Sequence, residues 1–131
     1  MKPCFVASLA LIVLVAAAQA SAHHSFAATY LEDQSVMIEG DLVQIVLRNP
    51  HTFIHVDVPQ PDGTTVRYLV EWAAPAQLQG KVTRDTLKPG DHVIITGSPA
   101  RNADDHRVRM LTFRRPKDGW GWGQRPDETF K

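Results

Sequence analysis

The chain has 131 residues, 44% of them hydrophobic, and its 14 Lys and Arg residues balance its 14 Asp and Glu residues. This length fits one small domain, and the neutral charge lacks the basic surplus on which electrostatic binding of nucleic acid depends. The single cysteine, Cys4, excludes an intramolecular disulfide framework and a multi-thiolate metal centre.

Residues 1–22 have the features of a secretory signal peptide. Lys2 supplies a positive charge, an apolar stretch of about 14 residues follows, and Ala20-Ser21-Ala22 forms a small-x-small cleavage site. The apolar stretch is shorter than the roughly 20 residues that cross a bilayer. We therefore expect cleavage after Ala22 and a periplasmic or secreted protein of 109 residues with no membrane span after signal removal.

The mature chain begins with residues 23–34, which we expect to form an extended N-terminal arm attached through Phe26, Tyr30 and Leu31. From residue 35, short β-forming runs alternate with turn residues. A short helix is predicted at residues 73–79, and five strands are predicted at Val36–Leu47, His51–Val58, Thr64–Trp72, His92–Gly97 and His106–Phe113.

Glycines and prolines mark the bends between these elements. Gly40 is expected at a bulge or bend of the first strand. Asp62-Gly63 suits the central pair of a hairpin turn, and Pro89-Gly90 suits a type II turn. Residues 116–131 form a Gly/Trp-rich tail without clear periodicity.

The element order β1-β2-β3-α-β4-β5 predicts an all-β fold with one short helix, namely a five-stranded OB-like barrel over residues 35–115. A small sandwich is the alternative architecture. Within the second strand, alternation assigns four side chains to the core: Thr52, Ile54, Val56 and Val58. The opposite face then carries four polar or aromatic side chains: His51, Phe53, His55 and Asp57.

The histidines suggest a metal site. Cleavage after Ala22 makes His23 the first residue, so its α-amine and ring Nδ1 can chelate one ion, and His24 offers a second mode of chelation. An imidazole from His51 or His55 would complete a three-nitrogen site resembling a histidine brace, which suits Cu(II). His51 and His55 lie roughly 13 Å apart along a regular strand, so they are not expected to share an ion without a bulge.

A second hypothesis is a metal-independent module that binds a peptide, a glycan or a partner protein. Its ligand-binding residues would be Asn49, Phe53, Asp57 and Trp72, although Trp72 and the tail tryptophans also suit packing on the barrel. No serine–histidine–acid pattern or phosphate loop is recognisable, so a non-enzymatic role is favoured over a copper-dependent redox enzyme. His92 and His106 are expected at the surface.

Four arginines cluster late in the chain near three aspartates. They are Arg107, Arg109, Arg114 and Arg115, and we expect a solvated strand edge there rather than a phosphate-binding track.

Three motifs occur in an order that resembles the DUF6152 family of small exported bacterial proteins, whose function is unknown. They are His23–Phe26, Asn49–His51 and Thr83–Asp91. The resemblance implies an exported OB-like barrel and draws attention to His23, His24 and His51, but it implies no activity. The chain departs from the family pattern at Phe53, where a Trp-type aromatic is frequent, and at Ala73-Ala74-Pro75, where Gly-Ser-Pro is frequent.

Overall fold

Six strands dominate the computed structural model, which describes residues 26–123. They are β1 (Val36–Val46), β2 (Phe53–Pro59), β3 (Thr65–Glu71), β4 (His92–Pro99), β5 (Arg107–Arg114) and β6 (Gly121–Trp122). A four-residue helix, Pro75–Leu78, lies between β3 and β4, and a 3-10 turn, Ala103–Asp105, precedes β5. Among residues 26–123, no helix is long and apolar enough to span a membrane.

The first five strands close into a mixed β-barrel, which confirms the predicted fold class. β1 is antiparallel to both β4 and β2, while β2 pairs with β3 and β4 pairs with β5 in the same sense. A parallel pairing of β3 with β5 closes the barrel.

Gly40 lies where β1 passes from its pairing with β4 to its pairing with β2. A Cβ atom at this position would overlap the carbonyl oxygen of Asp57, so only glycine permits the close approach of β1 to β2. The bulge itself lies further along β1, between Leu42 and Gln44.

The hairpin between β2 and β3 differs in detail from the prediction. The Gly63 amide donates to the Gln60 carbonyl at 3.0 Å, so Pro61 and Asp62 are the central turn residues. Gly63, with a φ of 84°, is the fourth residue of this turn rather than one of its central pair. The predicted turn before β4 is present, since the Asp91 amide donates to the Lys88 carbonyl at 3.1 Å.

The barrel interior contains the predicted alternating residues of the second strand, with Thr52, Ile54 and Val56 fully buried. Trp72 stacks on Phe113 with ring centroids 5.7 Å apart, and it meets Trp122 edge-on. The tail is therefore ordered against the barrel up to residue 123, because β6 extends the sheet beside β5 and the Trp120 ring is buried against Phe113.

The start of the described chain is helical at residues 26–29, so the prediction of an extended arm is wrong there. A short arm gains hydrogen bonds by coiling, and the Tyr30 amide donates to the Phe26 carbonyl at 2.7 Å. Tyr30 is buried and bridges to Ala100, and the Leu31 amide donates to the Pro99 carbonyl. The predicted signal peptide, together with His23 and His24, lies outside the described residues.

The prediction of a solvated arginine edge is wrong for Arg115, which is 7% exposed. Its guanidinium donates to Asp91 Oδ2 at 2.7 Å and contacts both carboxylate oxygens of Asp118. It also donates to the Thr86 carbonyl. Arg115 therefore joins the long segment 79–91 to the turn after β5, which a solvated side chain would not do.

Candidate functional site

A buried carboxylate, Glu71, forms the centre of a polar cluster on the outside of the barrel. It is the last residue of β3 and only 8% exposed. Its Oε1 lies 2.6 Å from His51 Nδ1, while Oε2 accepts from the Tyr30 hydroxyl and from Arg107 Nη2. These partners come from the loop before β2, the N-terminal arm and β5. Such hydrogen bonds offset the desolvation that an isolated buried carboxylate would suffer.

Backbone pairing brings His51 to this cluster. Glu71 lies opposite Phe53 in the β2–β3 register, so His51 is diagonal to it on the same face. The Thr52 amide donates to the Ala73 carbonyl at 3.0 Å, and the Trp72 amide donates to the Thr52 carbonyl at 2.8 Å. The ladder thus continues beyond the ends of both strands and holds the backbone beside His51.

The two nitrogens of the His51 ring are in different environments. Nδ1 is engaged by Glu71, whereas Nε2 makes no hydrogen bond to any residue within 26–123. In the neutral imidazole, a carboxylate that accepts from Nδ1–H leaves the lone pair on Nε2, which is the tautomer of a metal-binding histidine. The side chain is 30% exposed, so Nε2 presents a nitrogen ligand on a fixed ring.

Phe26 joins the N-terminal arm to His51. The two rings are stacked with centroids 5.2 Å apart and an angle of 29° between their planes. The guanidinium of Arg109 lies 3.9 Å from the centroid of the Phe26 ring and pairs with Glu32 on the arm. The arm therefore packs against His51. The sequence alone did not determine whether the arm lies near this residue.

A cleft of about 270 Å³ opens beside the cluster. His51 and Glu71 line it together with Phe26, Arg109, Met110 and Trp122. A small molecule or an ion entering this cleft would meet the imidazole, a cationic side chain and an aromatic wall.

Tyr30 is a neutral hydrogen-bond donor that stabilises the Glu71 carboxylate. Burial raises the pKa of its hydroxyl, and the hydrogen bond to the Glu71 carboxylate raises the pKa further. The hydroxyl therefore stays protonated across ordinary pH and donates to Oε2. Arg107 supplies the positive charge of the cluster and also lies over the rings of Tyr30 and Phe53, 5.7 Å and 5.5 Å from their centroids.

Two of the predicted residues of the second strand, His55 and Asp57, lie outside this cluster. His55 is opposite Leu69 on β3, and no group of three metal-ligating His, Cys, Asp or Glu side chains forms within residues 26–123. Asp57 forms a two-point pair with Arg67 at 2.8 and 2.9 Å, and hydrogen bonding by Arg67 lowers the pKa of the Asp57 carboxyl. Asn49 is exposed in the preceding loop.

Trp72 is 3% exposed and packs in the core, so it provides no open aromatic platform and reaches a ligand only through the cleft wall. His92 and His106 are at the surface, as predicted. The hydrogen bond to Glu39 raises the pKa of His92 most, and the hydrogen bond to Asp41 raises it further.

Sequence reasoning did not connect Glu71, Tyr30 and Arg107 with His51. The β2–β3 register was the available signal for Glu71, because a hairpin that turns at residues 60–64 places Glu71 opposite Phe53. Tyr30 and Arg107 lie 41 and 36 residues from Glu71, so no local pattern identifies them as its partners.

The sequence matches the model of the DUF6152 family, a family of unknown function, over residues 10–109. No curated protein matches it significantly. The chain therefore belongs to the DUF6152 family, which confirms the resemblance seen in the three motifs.

Proposed function

We propose that this member of the DUF6152 family is an exported binding module that holds Cu(II) between His51 and the two histidines at the start of the arm, His23 and His24. The observation that carries the proposal is the hydrogen bond from His51 Nδ1 to the buried Glu71, which leaves Nε2 open. The role is metal carriage or sensing.

The environment of His51 supports metal binding because the ring is already oriented. Glu71 is itself held by Tyr30 and Arg107, so the imidazole is bonded to a fixed carboxylate rather than to a mobile one. Outer-sphere carboxylates of this kind fix the tautomer and increase the basicity of a ligating histidine.

The position of Phe26 supports a contribution from the N-terminal histidines. Phe26 stacks on His51, and three peptide units connect it to His23. Three units span at most about 11 Å between Cα atoms, so the covalent chain allows His23 and His24 to reach the His51 ring.

The donor set favours copper among the common transition metals. The α-amine and the imidazoles of His23, His24 and His51 are nitrogen ligands, and cleavage after Ala22 leaves the mature chain without a cysteine thiolate. Nitrogen sites of this type bind Cu(II) more tightly than the other divalent first-row ions.

The test is a Cu(II) titration of the mature protein, followed by electron paramagnetic resonance. Mass spectrometry first verifies that the exported chain begins at His23. We expect one nitrogen-rich Cu(II) signal at one equivalent, lost when an alanine is added before His23. Equal binding by the native and extended proteins would show that the α-amine is not a ligand and would overturn the proposal.

His51→Ala and His55→Ala form a matched pair of variants. Both remove a half-buried imidazole from the outer face, but only His51 is bonded to Glu71. We expect His51→Ala to abolish the signal of the native site and His55→Ala to preserve it. Circular dichroism melts of both variants separate a loss of binding from a loss of folding.

The alternative proposal is a metal-independent module that binds a peptide, a glycan or a partner protein through the face bearing Asn49, Phe53 and Asp57. The half-exposed Phe53 ring favours it, but Arg67 already engages the Asp57 carboxylate. This alternative predicts that Phe53→Ala abolishes binding of the partner while His23→Ala preserves it.

A further inference from the structure

A second concave surface, which shares no lining residue with the cleft at His51, lies between the last half of β1 and the segment 79–91. A cavity of about 750 Å³ opens there. Its apolar lining includes Val43, Ile45, Val82 and Leu87. Ile45 and Val82 also pack against the core, so the floor of this cavity is continuous with the barrel interior.

A second cavity of about 490 Å³ forms a neighbouring lobe, because Leu47 and Val82 line both lobes. The second lobe runs to the short helix, where Pro75, Ala76 and Leu78 line it. Leu47 is 61% exposed at the junction of the lobes. The two lobes together form an elongated apolar trough, which suits a chain-like ligand better than a compact one.

Charge is confined to one end of this trough. Arg84 and Lys88 line the first lobe, whereas the polar residues of the second lobe, Asn49 and Gln79, are uncharged. No carboxylate lines either lobe. Within the described chain, neither Arg84 nor Lys88 forms a side-chain ion pair, so both cations are available to an anion.

We propose that the trough binds a single-chain amphiphile with an anionic head group, such as a fatty acid or an alkyl phosphate. The head group lies at Arg84 and Lys88, and the alkyl chain runs past Leu47 toward the helix. Charge at one end and an apolar path from it are the features that recognise this class of ligand. The site shares no lining residue with the cleft at His51, so it stands independently of the copper proposal.

The test is a calorimetric titration of the mature protein with dodecanoate, dodecyl phosphate and dodecyltrimethylammonium, each below its micellar concentration. We expect both anions to bind at one equivalent and the cation, with the same chain, to bind at least about 10-fold more weakly. The preferred anion distinguishes a carboxylate from a phosphate ligand. Equal binding of the cation, or no saturable binding of either anion, would overturn the proposal.

Two matched pairs of variants locate the ligand. Arg84→Gln is compared with Arg114→Gln, an exposed cation on β5, and Leu47→Gln is compared with Met37→Gln, which is 67% exposed. We expect Arg84→Gln to weaken dodecanoate about 3-fold and Leu47→Gln about 5-fold, with both controls unchanged.

Sedimentation of the free protein completes the test. If the protein is a dimer that dissociates in Leu47→Gln and persists in Met37→Gln, a second copy of the chain covers the trough. This result would also overturn the proposal.

Discussion

Two buried carboxylates, Glu71 and Asp91, have similar exposure but different partners. Asp91 is 6% exposed and is bonded to Arg115, Lys117 and the Lys88 amide. Arg115 and Lys117 hold the segment 79–91 against the turn after β5, and the Lys88 amide closes the local turn within that segment. Glu71 is instead bonded to a histidine that lines a cleft and whose Nε2 makes no hydrogen bond within residues 26–123.

The difference separates a carboxylate that pairs only with cations and a backbone amide from one that orients an imidazole. The guanidinium and ammonium groups that surround Asp91 have no lone pair to offer a ligand. The imidazole beside Glu71 has one, and its orientation is already set. Burial of an acid is therefore common to both regions, and the two regions differ in that only the partners of Glu71 include an imidazole.

The largest expected effect comes from breaking the Asp91 region. Arg115→Met removes the buried guanidinium and leaves Asp91 with Lys117, whose side chain is 62% exposed. We expect a loss of about 3 to 5 kcal/mol in the free energy of unfolding, measured by urea denaturation, because the carboxylate loses its buried partner. Arg114→Met, on the exposed neighbour, should change stability by less than about 0.5 kcal/mol. Equal effects of the two substitutions would contradict this account.

The pH dependence of stability should report the contribution of the Asp91 carboxylate in the same region. Burial alone would raise the pKa of Asp91, but hydrogen bonds from Lys117, the Lys88 amide and Arg115 outweigh it and lower the pKa to about 2. The unfolded carboxyl titrates near 3.9, so this stabilisation is complete above that pH and is lost as the pH falls through about 2. The contribution amounts to about 2 to 3 kcal/mol.

Denaturation of the native protein and Asp91→Asn at a series of pH values between 2 and 7 measures this contribution. The stability difference between them should shrink toward low pH. A difference that stays constant over that range would show that the Asp91 charge does not contribute.

A Glu71→Gln substitution sharpens the comparison, because it keeps the shape of the side chain and removes the negative charge that lies beside His51 Nδ1. If the copper proposal holds, Cu(II) affinity should fall about 10- to 100-fold, as is typical when an outer-sphere carboxylate is lost. Asp91→Asn is the matched control and should leave Cu(II) affinity unchanged. Competition titration against a chelator of known affinity measures the Cu(II) affinity of the native protein and of both variants. Equal affinities of the native protein and Glu71→Gln would show that Glu71 does not contribute to Cu(II) binding.

The local patterns of the sequence determined most of the barrel. Alternation of Thr52, Ile54 and Val56 assigned the buried face of the second predicted strand, since successive side chains of a strand point to opposite sides. Pro89 and Gly90 supplied the backbone angles of the turn before β4, where Gly90 has a φ of 87°. These features depend on residues close together in the chain, so their spacing was sufficient to predict them.

Only the tertiary structure decided which side chains meet around Glu71 and Asp91. Closure by the parallel β3–β5 pairing brings Arg107 beside the end of β3, and packing of the arm brings Tyr30 and Phe26 to the same place. Arg115 is likewise buried by segments that are distant from it in sequence. The periodicity of one strand records which face is buried, but not which distant element covers or pairs with it, because that depends on register and barrel closure.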